Sequence, residues 1–133
     1  QVVEVEKVVE VEKLVYVDRI EEIEKNFNAA QFVQGKADLS EEAKFVLHDL
    51  AKELEKHPEV KLRIVGHTSS EGDATLSQKL SEARAQAAVD FLVEHEGVDA
   101  ARLEAQGFGS TKLKNTDDPK APENRRTEFE VIE

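Results

Sequence analysis

Residues 60–85 read VKLRIVGHTSSEGDATLSQKLSEARA, and this stretch decides the fold. Its first residues alternate in character, which predicts a strand whose apolar face is formed by Val60, Leu62 and Ile64. A polar turn follows, and Asp73 is a suitable N-cap for a helix that runs to about His95. We expect the buried side of this helix to carry Leu76, Leu80, Ala83, Ala87 and Phe91.

A second helix is predicted before this strand. Ser40 can cap it and Pro58 ends it, with an apolar stripe of Ala43, Val46, Leu47, Leu50, Ala51 and Leu54. The segments AAQFV (29–33), RLEAQGFG (102–109) and RRTEFEVI (125–132) are typical of strands. This order predicts an α/β (α+β) sandwich, in which two long helices pack on one face of a mixed sheet of about four strands.

The composition excludes several classes of function. The chain has 133 residues, which suits one domain, and no cysteine, which rules out disulfides and thiolate metal sites. Its formal net charge of -11 argues against binding to nucleic acid or to an anionic membrane surface, because both attract basic patches. The histidines have no metal-ligand spacing. We therefore expect no cofactor and no metal.

The first 28 residues have a different pattern from the rest. Residues 2–13 read VVEVEKVVEVEK, a tandem hexapeptide in which valine and glutamate alternate. This alternation predicts an extended segment over residues 1–28, with a short helix where DRIEEIEKNF (18–27) has helical spacing. The segment is either a charged spacer or an assembly strand that pairs with a copy of itself or a partner through residues 2–17. The domain itself is expected at residues 29–133.

The turn and helix start around Asp73 suit an anionic group. Free N–H groups and the positive end of the helix dipole face the loop that Asp73 closes. Arg84 lies about three turns further on, so it projects from the same side of the helix. A carboxylate there could accept a bidentate contact from Arg84, and Arg125 supplies a second cation. The alternative interpretation of Arg84 is an exposed arginine whose stem packs on the sheet.

Four motifs follow one another in the chain: GHT (66–68) at the end of an apolar strand, LSEARA (80–85), GFG (107–109) and NRR (124–126). Together they resemble the OmpA-like peptidoglycan-binding domain, the family of OmpA C-terminal halves, Pal lipoproteins and flagellar MotB proteins. The resemblance covers residues 30–132. The VVEVEK repeat resembles the linkers that precede such domains in Bacteroidetes-type outer-membrane proteins.

The family grips the diaminopimelate residue of the peptidoglycan stem peptide. The resemblance implies that Arg84 pairs with the carboxylate of the ligand. An aspartate directly after GHT pairs with its ammonium group in the family, but this residue is Ser69 here, and Glu71 is the nearest carboxylate that could substitute. Ser77 is a second departure, since many members have asparagine there. The implied ligand-binding set is Arg84, Ser69, Thr68, Ser77, Arg125 and Glu71.

The expected function is non-covalent binding of the stem peptide, which tethers the outer membrane to the cell wall from its periplasmic side. Peptidoglycan is the expected partner, and the membrane anchor is expected outside this chain. No catalytic residue is expected, because no recognisable motif provides an acid that orients His67. Two alternatives remain: another carboxylated or zwitterionic ligand in the same groove, or a structural and oligomerisation module whose ligand binding is impaired by Ser69.

Overall fold

The computed structural model describes residues 2–30, 37–69, 73–119 and 122–132, with the side chains of the first helix described from Tyr16 onward. The elements in order are α1 (Val2–Ala30), α2 (Glu41–Lys56), β1 (Lys61–His67), α3 (Ala74–Glu94), β2 (Leu103–Gly107) and β3 (Arg126–Ile132). Short 3-10 turns at Ala100–Arg102 and Pro122–Asn124 precede β2 and β3.

The described strands form one mixed sheet in the order β2-β1-β3. β1 runs parallel to β2, with Leu62 opposite Leu103, and antiparallel to β3, with Ile64 opposite Phe129. We call the end of the sheet where β1 and β2 finish and β3 begins the site end. The opposite end of the strands is called the foot. The predicted α/β sandwich is confirmed, although the described sheet has three strands rather than about four.

The helix α2 is the one that the sequence predicts most closely. Ser40 is its N-cap, because the Ser40 hydroxyl accepts a hydrogen bond from the Ala43 N–H at 3.1 Å. The helix ends at Lys56, two residues before Pro58. Its predicted stripe is buried except for Val46, which is partly buried against the same core.

The buried face of α3 differs from the prediction. Leu76 is 65% exposed and Ala83 is exposed, whereas the residues in the core are Ser81, Ala85, Ala88, Val89 and Leu92. The reason is a close approach of α3 to the sheet. A Cβ on Gly66 would collide with the backbone oxygen of Ser81, and one on Gly107 would collide with the backbone nitrogen of Glu82. Only small side chains fit at so short a distance, so serine and alanine rather than leucine face the strands there.

The prediction of an extended segment at the N-terminus is wrong, because residues 2–30 form one continuous helix. The short helix predicted at 18–27 is part of it. Its second half packs in the core through Tyr16, Ile20, Ile23 and Phe27. Once this docked half fixes the first turns, each added residue closes one more hydrogen bond, and this outweighs the low helix propensity of valine.

The structure describes only the first two residues of the fourth predicted strand, AAQFV, and they do not form a strand. Its first two residues end α1, and residues 31–33 lie outside the described residues. The outer edge of β3 is instead bonded by side chains of α1. Asn28 donates to the Thr127 carbonyl at 2.9 Å and accepts from the Thr127 N–H at 2.8 Å, and Glu24 accepts from the Phe129 N–H at 3.2 Å. The domain division at residues 28 and 29 stays a prediction.

Candidate functional site

Ser69 and Arg125 meet at the site end of the sheet. Ser69 lies two residues after β1 and is only 3% exposed, whereas Arg125 lies directly before β3 and is exposed. Because β1 and β3 are antiparallel neighbours, the residues beyond the end of one strand lie beside those before the start of the other. Arg125 Nη1 donates a hydrogen bond to Ser69 Oγ at 3.2 Å. The serine therefore already has a cationic partner.

Arg84 comes to the same place from the helix layer. It lies one turn after Ser81, the residue at which α3 touches Gly66, and is partly buried. Burial lowers the pKa of Arg84, and the charge of Arg125 lowers it further. Arginine stays protonated despite such shifts, so two guanidinium groups share this corner of the molecule. Of the residues that the sequence predicts, the structure thus joins Ser69 to Arg125 and places Arg84 near enough to Arg125 for their charges to interact.

The start of α3 is capped by an acidic side chain. Asp73 is its N-cap, and Asp73 Oδ1 accepts hydrogen bonds from the N–H groups of Thr75 at 2.8 Å and Leu76 at 3.2 Å. This carboxylate therefore serves the helix. Ser77 lies in the first turns of α3, where its N–H donates to the Asp73 carbonyl at 2.9 Å. Glu71 lies outside the described residues.

Thr68 connects β1 to the GFG turn. Its N–H donates to the Gly109 carbonyl at 2.8 Å, and the Phe108 N–H donates to the Gly66 carbonyl at 3.0 Å. Gly109 has a φ of 54°, which favours glycine, and its N–H donates to Ser81 Oγ at 2.9 Å. The Thr68 hydroxyl is buried and makes no hydrogen bond within the described residues. Thr68 therefore supports the site from its buried side.

Asn124 is the residue that the sequence interpretation missed. It is fully buried, and its side-chain N–H groups donate to three carbonyls of the preceding loop, those of Asn115, Asp118 and Pro119. Its side-chain oxygen accepts from the Asn115 N–H at 2.7 Å. These bonds fix the backbone directly before Arg125. The signal in the sequence was an asparagine that closes a loop rich in turn residues.

The second arginine of NRR has a different partner from the first. Arg126 Nε donates to Glu128 at 2.8 Å, and Arg126 Nη2 donates to the Lys112 carbonyl at 3.2 Å. His67 lies beside this pair, with its ring stacked on Phe108 at 5.6 Å between centroids. Burial lowers the pKa of His67 and the charge of Arg126 lowers it further, whereas Glu128, whose Oε1 lies 3.5 Å from His67 Nε2, opposes the shift. These residues support the site end without entering the corner of Ser69.

The corner can hold an anion. It combines the Ser69 hydroxyl with the guanidinium of Arg125, and the charge of Arg84 acts on the same group, on a chain whose net charge is -11. The described residues contain no group of three histidine, cysteine, aspartate or glutamate side chains placed to bind a metal ion. Within the same ranges, none of the helices is both long and apolar enough to span a membrane.

Comparison with known proteins agrees with this geometry. A profile of the OmpA family matches residues 31–127. The chain belongs to the OmpA family. Outer membrane porin F of Pseudomonas aeruginosa is 35% identical over 98 residues, which cover 72% of this chain and 28% of that protein. The chain thus spans less than a third of this relative's length.

Two solved structures are similar over most of this chain. The cell wall anchor of the T6SS from Pseudomonas aeruginosa matches with a TM-score of 0.65 and 31% identity, covering 78% of this chain and 75% of that one. The peptidoglycan-associated lipoprotein of Burkholderia pseudomallei has a TM-score of 0.65 at 24% identity, covering 77% and 88%, and shows the shared fold. A Bacteroidetes-type origin stays a prediction.

Proposed function

We propose that this domain binds peptidoglycan non-covalently and links the outer membrane to the cell wall from its periplasmic side. The observation that carries the proposal is the hydrogen bond from Arg125 to Ser69, with Arg84 near enough to Arg125 for their charges to interact. Relatives named as outer membrane proteins, and a similar structure named as a cell wall anchor, support it. The chemistry is recognition, since the corner offers hydrogen-bond donors for an acidic group of the stem peptide.

Arg84 is proposed to hold a carboxylate of the stem peptide. Its guanidinium is partly buried, so water competes less for it than for a surface arginine. A hydrogen bond that involves a charged group contributes about 1.5–3 kcal/mol. Removing the guanidinium is therefore expected to weaken binding roughly 10- to 100-fold.

Co-sedimentation of the full chain with purified peptidoglycan tests the proposal. The wild type is expected to sediment with peptidoglycan, and Arg84→Gln to do so much less. The matched control is Arg19→Gln, which removes the same charge from the exposed surface of α1, where Arg19 pairs with Glu22. Absence of wild-type binding, or equal binding by Arg84→Gln, would show that the proposal is wrong.

Self-association through residues 2–17 stays a prediction, and the structure changes how it is tested. Tyr16 is a core residue and Val17 packs against the core, so a truncation that removes them also damages the domain. Deletion of residues 1–15 keeps the docked half of α1. If that segment assembles the protein, sedimentation equilibrium gives an oligomer for the full chain and a monomer for the truncated one. A monomer in both cases excludes assembly by this segment.

A further inference from the structure

The last cross-strand pair of β1 and β3 is a buried histidine opposite an arginine. His67 lies directly across from Arg126 and is only 4% exposed. The hydrogen bond from Arg125 to Ser69 lies just beyond this pair, at the same end of the sheet. A displacement of the pair is therefore passed directly to these two residues of the candidate site.

Four other side chains interact with His67, and we call the five residues the histidine cluster. Glu128 Oε1 accepts a hydrogen bond from Arg126 Nε at 2.8 Å and lies 3.5 Å from His67 Nε2. The His67 ring stacks on Phe108 at 5.6 Å between centroids, and Lys112 Nζ lies 3.9 Å from the centroid of the Phe108 ring. Arg126 Nη2 also donates to the Lys112 carbonyl at 3.2 Å, so the loop after β2 is bound to the cluster.

The charges of the histidine cluster favour a neutral His67. Neutral His67 leaves two cations, Arg126 and Lys112, beside the carboxylate of Glu128. Protonation adds a positive charge directly opposite Arg126, and like charges in such a cross-strand pair repel each other. Burial, the charge of Arg126 and, less strongly, the charge of Lys112 lower the pKa of His67, whereas Glu128 opposes them. A protonated His67 is therefore costly in this packing.

The carboxyl group of Glu24 reaches the same region from α1 but does not balance a charged histidine. Burial raises the pKa of Glu24 to about 7, and the charge of Glu128 contributes to this rise. Glu24 therefore loses its negative charge before His67, whose pKa is lowered, gains its proton. Acidification thus makes the surroundings of the cluster more positive from two sides.

We propose that His67 is a pH switch for the site end of the sheet. Neutral His67 keeps the histidine cluster packed and Ser69 joined to Arg125, whereas protonated His67 displaces the loop at residues 108–112 and weakens ligand binding. The loop is the part that moves, because Lys112 is exposed, whereas His67 and Arg126 are held by the pairing of β1 with β3. This inference rests on the proposed function and names the regulation of the same site.

Co-sedimentation of the full chain with peptidoglycan at a series of pH values tests the switch. The affinity of the wild type relative to His67→Gln is expected to fall about tenfold from about pH 7.5 to about pH 4.5, because glutamine cannot gain the charge. Taking this ratio at each pH cancels the ionisation of peptidoglycan and of Glu24. The matched control is His95→Gln, an exposed histidine at the C-cap of α3, and it is expected to follow the wild type. An equal pH dependence of wild type and His67→Gln overturns the inference.

NMR spectroscopy of the free protein gives a second test that does not require His67→Gln to fold. Lys112→Gln removes an exposed positive charge from the cluster, so the ring of His67 is expected to titrate at a higher pH than in the wild type. The Phe108 N–H donates to the Gly66 carbonyl at 3.0 Å, and its protection from exchange is expected to fall in the wild type as His67 is protonated. Unchanged protection of this N–H contradicts the movement of the loop.

The outcomes separate this inference from the proposed function. Peptidoglycan binding whose ratio between wild type and His67→Gln is constant with pH overturns the switch and leaves the proposed function intact. Failure of the wild type to bind at any pH overturns the proposed function and the regulation of binding with it. In that case the titration of His67 and the protection of the Phe108 N–H still decide whether the loop moves.

Discussion

Arg102 and Arg125 each precede a strand, yet they lie at opposite ends of the sheet and have different partners. Arg102 precedes β2, which is parallel to β1, so it lies at the foot, where it donates to the carbonyls of Leu54, His57 and Val60 at 2.9, 2.8 and 3.0 Å. Arg125 precedes the antiparallel β3 and lies at the site end, where it donates to a hydroxyl.

This comparison teaches that strand direction decides what an arginine at a strand start can do. At the foot the chain turns from α2 into β1, and three carbonyls of this turn, two of which also accept a backbone N–H, bind the guanidinium of Arg102. At the site end Arg125 has a side-chain hydroxyl among its partners, whereas Arg126, one residue later, donates to the backbone carbonyl of Lys112. Backbone carbonyls as partners indicate a structural arginine.

The largest expected effect is the loss of the Arg102 hydrogen bonds at the foot of the sheet. Arg102→Ala removes three guanidinium hydrogen bonds to backbone carbonyls, so we expect the free energy of unfolding to fall by about 3 kcal/mol. Arg125→Ala changes an exposed side chain, and its expected cost is about 0.5 kcal/mol or less. Urea denaturation of both variants measures the difference. Equal losses of unfolding free energy in the two variants would contradict the distinction between a structural Arg102 and an exposed Arg125.

The next effect concerns the contact that places Arg84 over the sheet. Gly66→Ala drives a methyl group into the backbone of Ser81, which must move away. Overpacking of this kind costs about 1–3 kcal/mol, and we expect a value near 2 kcal/mol by thermal or urea unfolding. Gly97→Ala is the control, because nothing lies within 4 Å of a Cβ there, although its φ of 72° carries its own strain. A larger loss at Gly97 would contradict the close approach.

A third prediction concerns the support behind Arg125. Asn124→Ala removes donors from three loop carbonyls and an acceptor from the Asn115 N–H. We expect a loss of about 1–2 kcal/mol in unfolding free energy. Peptidoglycan binding is expected to weaken as well, since the backbone before Arg125 is released. Asn115→Ala keeps the Asn124 side chain, and a larger loss of binding in Asn115→Ala would argue against this role.

The smallest expected effect is a pH dependence at the outer edge of β3. Burial raises the pKa of Glu24 to about 7, although its bond from the Phe129 N–H opposes this shift. A raised folded-state pKa gives stability that is complete below the usual pKa of 4.5 and is lost as pH rises through about 7. Because the side chain is only partly buried, we expect about 1 kcal/mol.

Glu24→Gln isolates this contribution, since glutamine accepts the same N–H without a charge. The difference in unfolding free energy between variant and wild type is expected to increase in favour of glutamine from pH 4.5 to 7.5. His67 acts in the opposite sense: its lowered pKa removes stability as pH falls below about 6.5. It is present in both proteins, so it cancels in the difference. A difference that does not change with pH would contradict the assignment to Glu24.

The elements with local signals were predictable from the sequence. Ser40 and Asp73 are N-caps because their side chains act within three residues, and β1 alternates because its neighbours bury one face. The site residues Ser69, Arg84 and Arg125 came from motifs. Strand pairing brings Ser69 and Arg125 together, whereas Arg84 comes from α3.

The errors arose where distant contacts decide the outcome. The buried face of α3 is set by two glycines on other elements, which its own apolar pattern does not reveal. The helical state of residues 2–17 depends on the docking of Tyr16 and its successors, whereas the alternation of valine and glutamate favours a strand locally. The hydrogen bonds of Asn124 and Arg102 close loops, and the conformation of these loops cannot be predicted from the local sequence.

The bonds between Asn28 and Thr127 have a mechanical consequence. They join α1 to β3 two residues from Arg125, which lies in the corner proposed to hold the cell wall. A pull on α1 is therefore passed to the wall ligand across a few residues at one edge of the sheet. Because Ile20, Ile23 and Phe27 of α1 are also buried in the core, these bonds share the load with apolar packing, and separating α1 from β3 also opens the core.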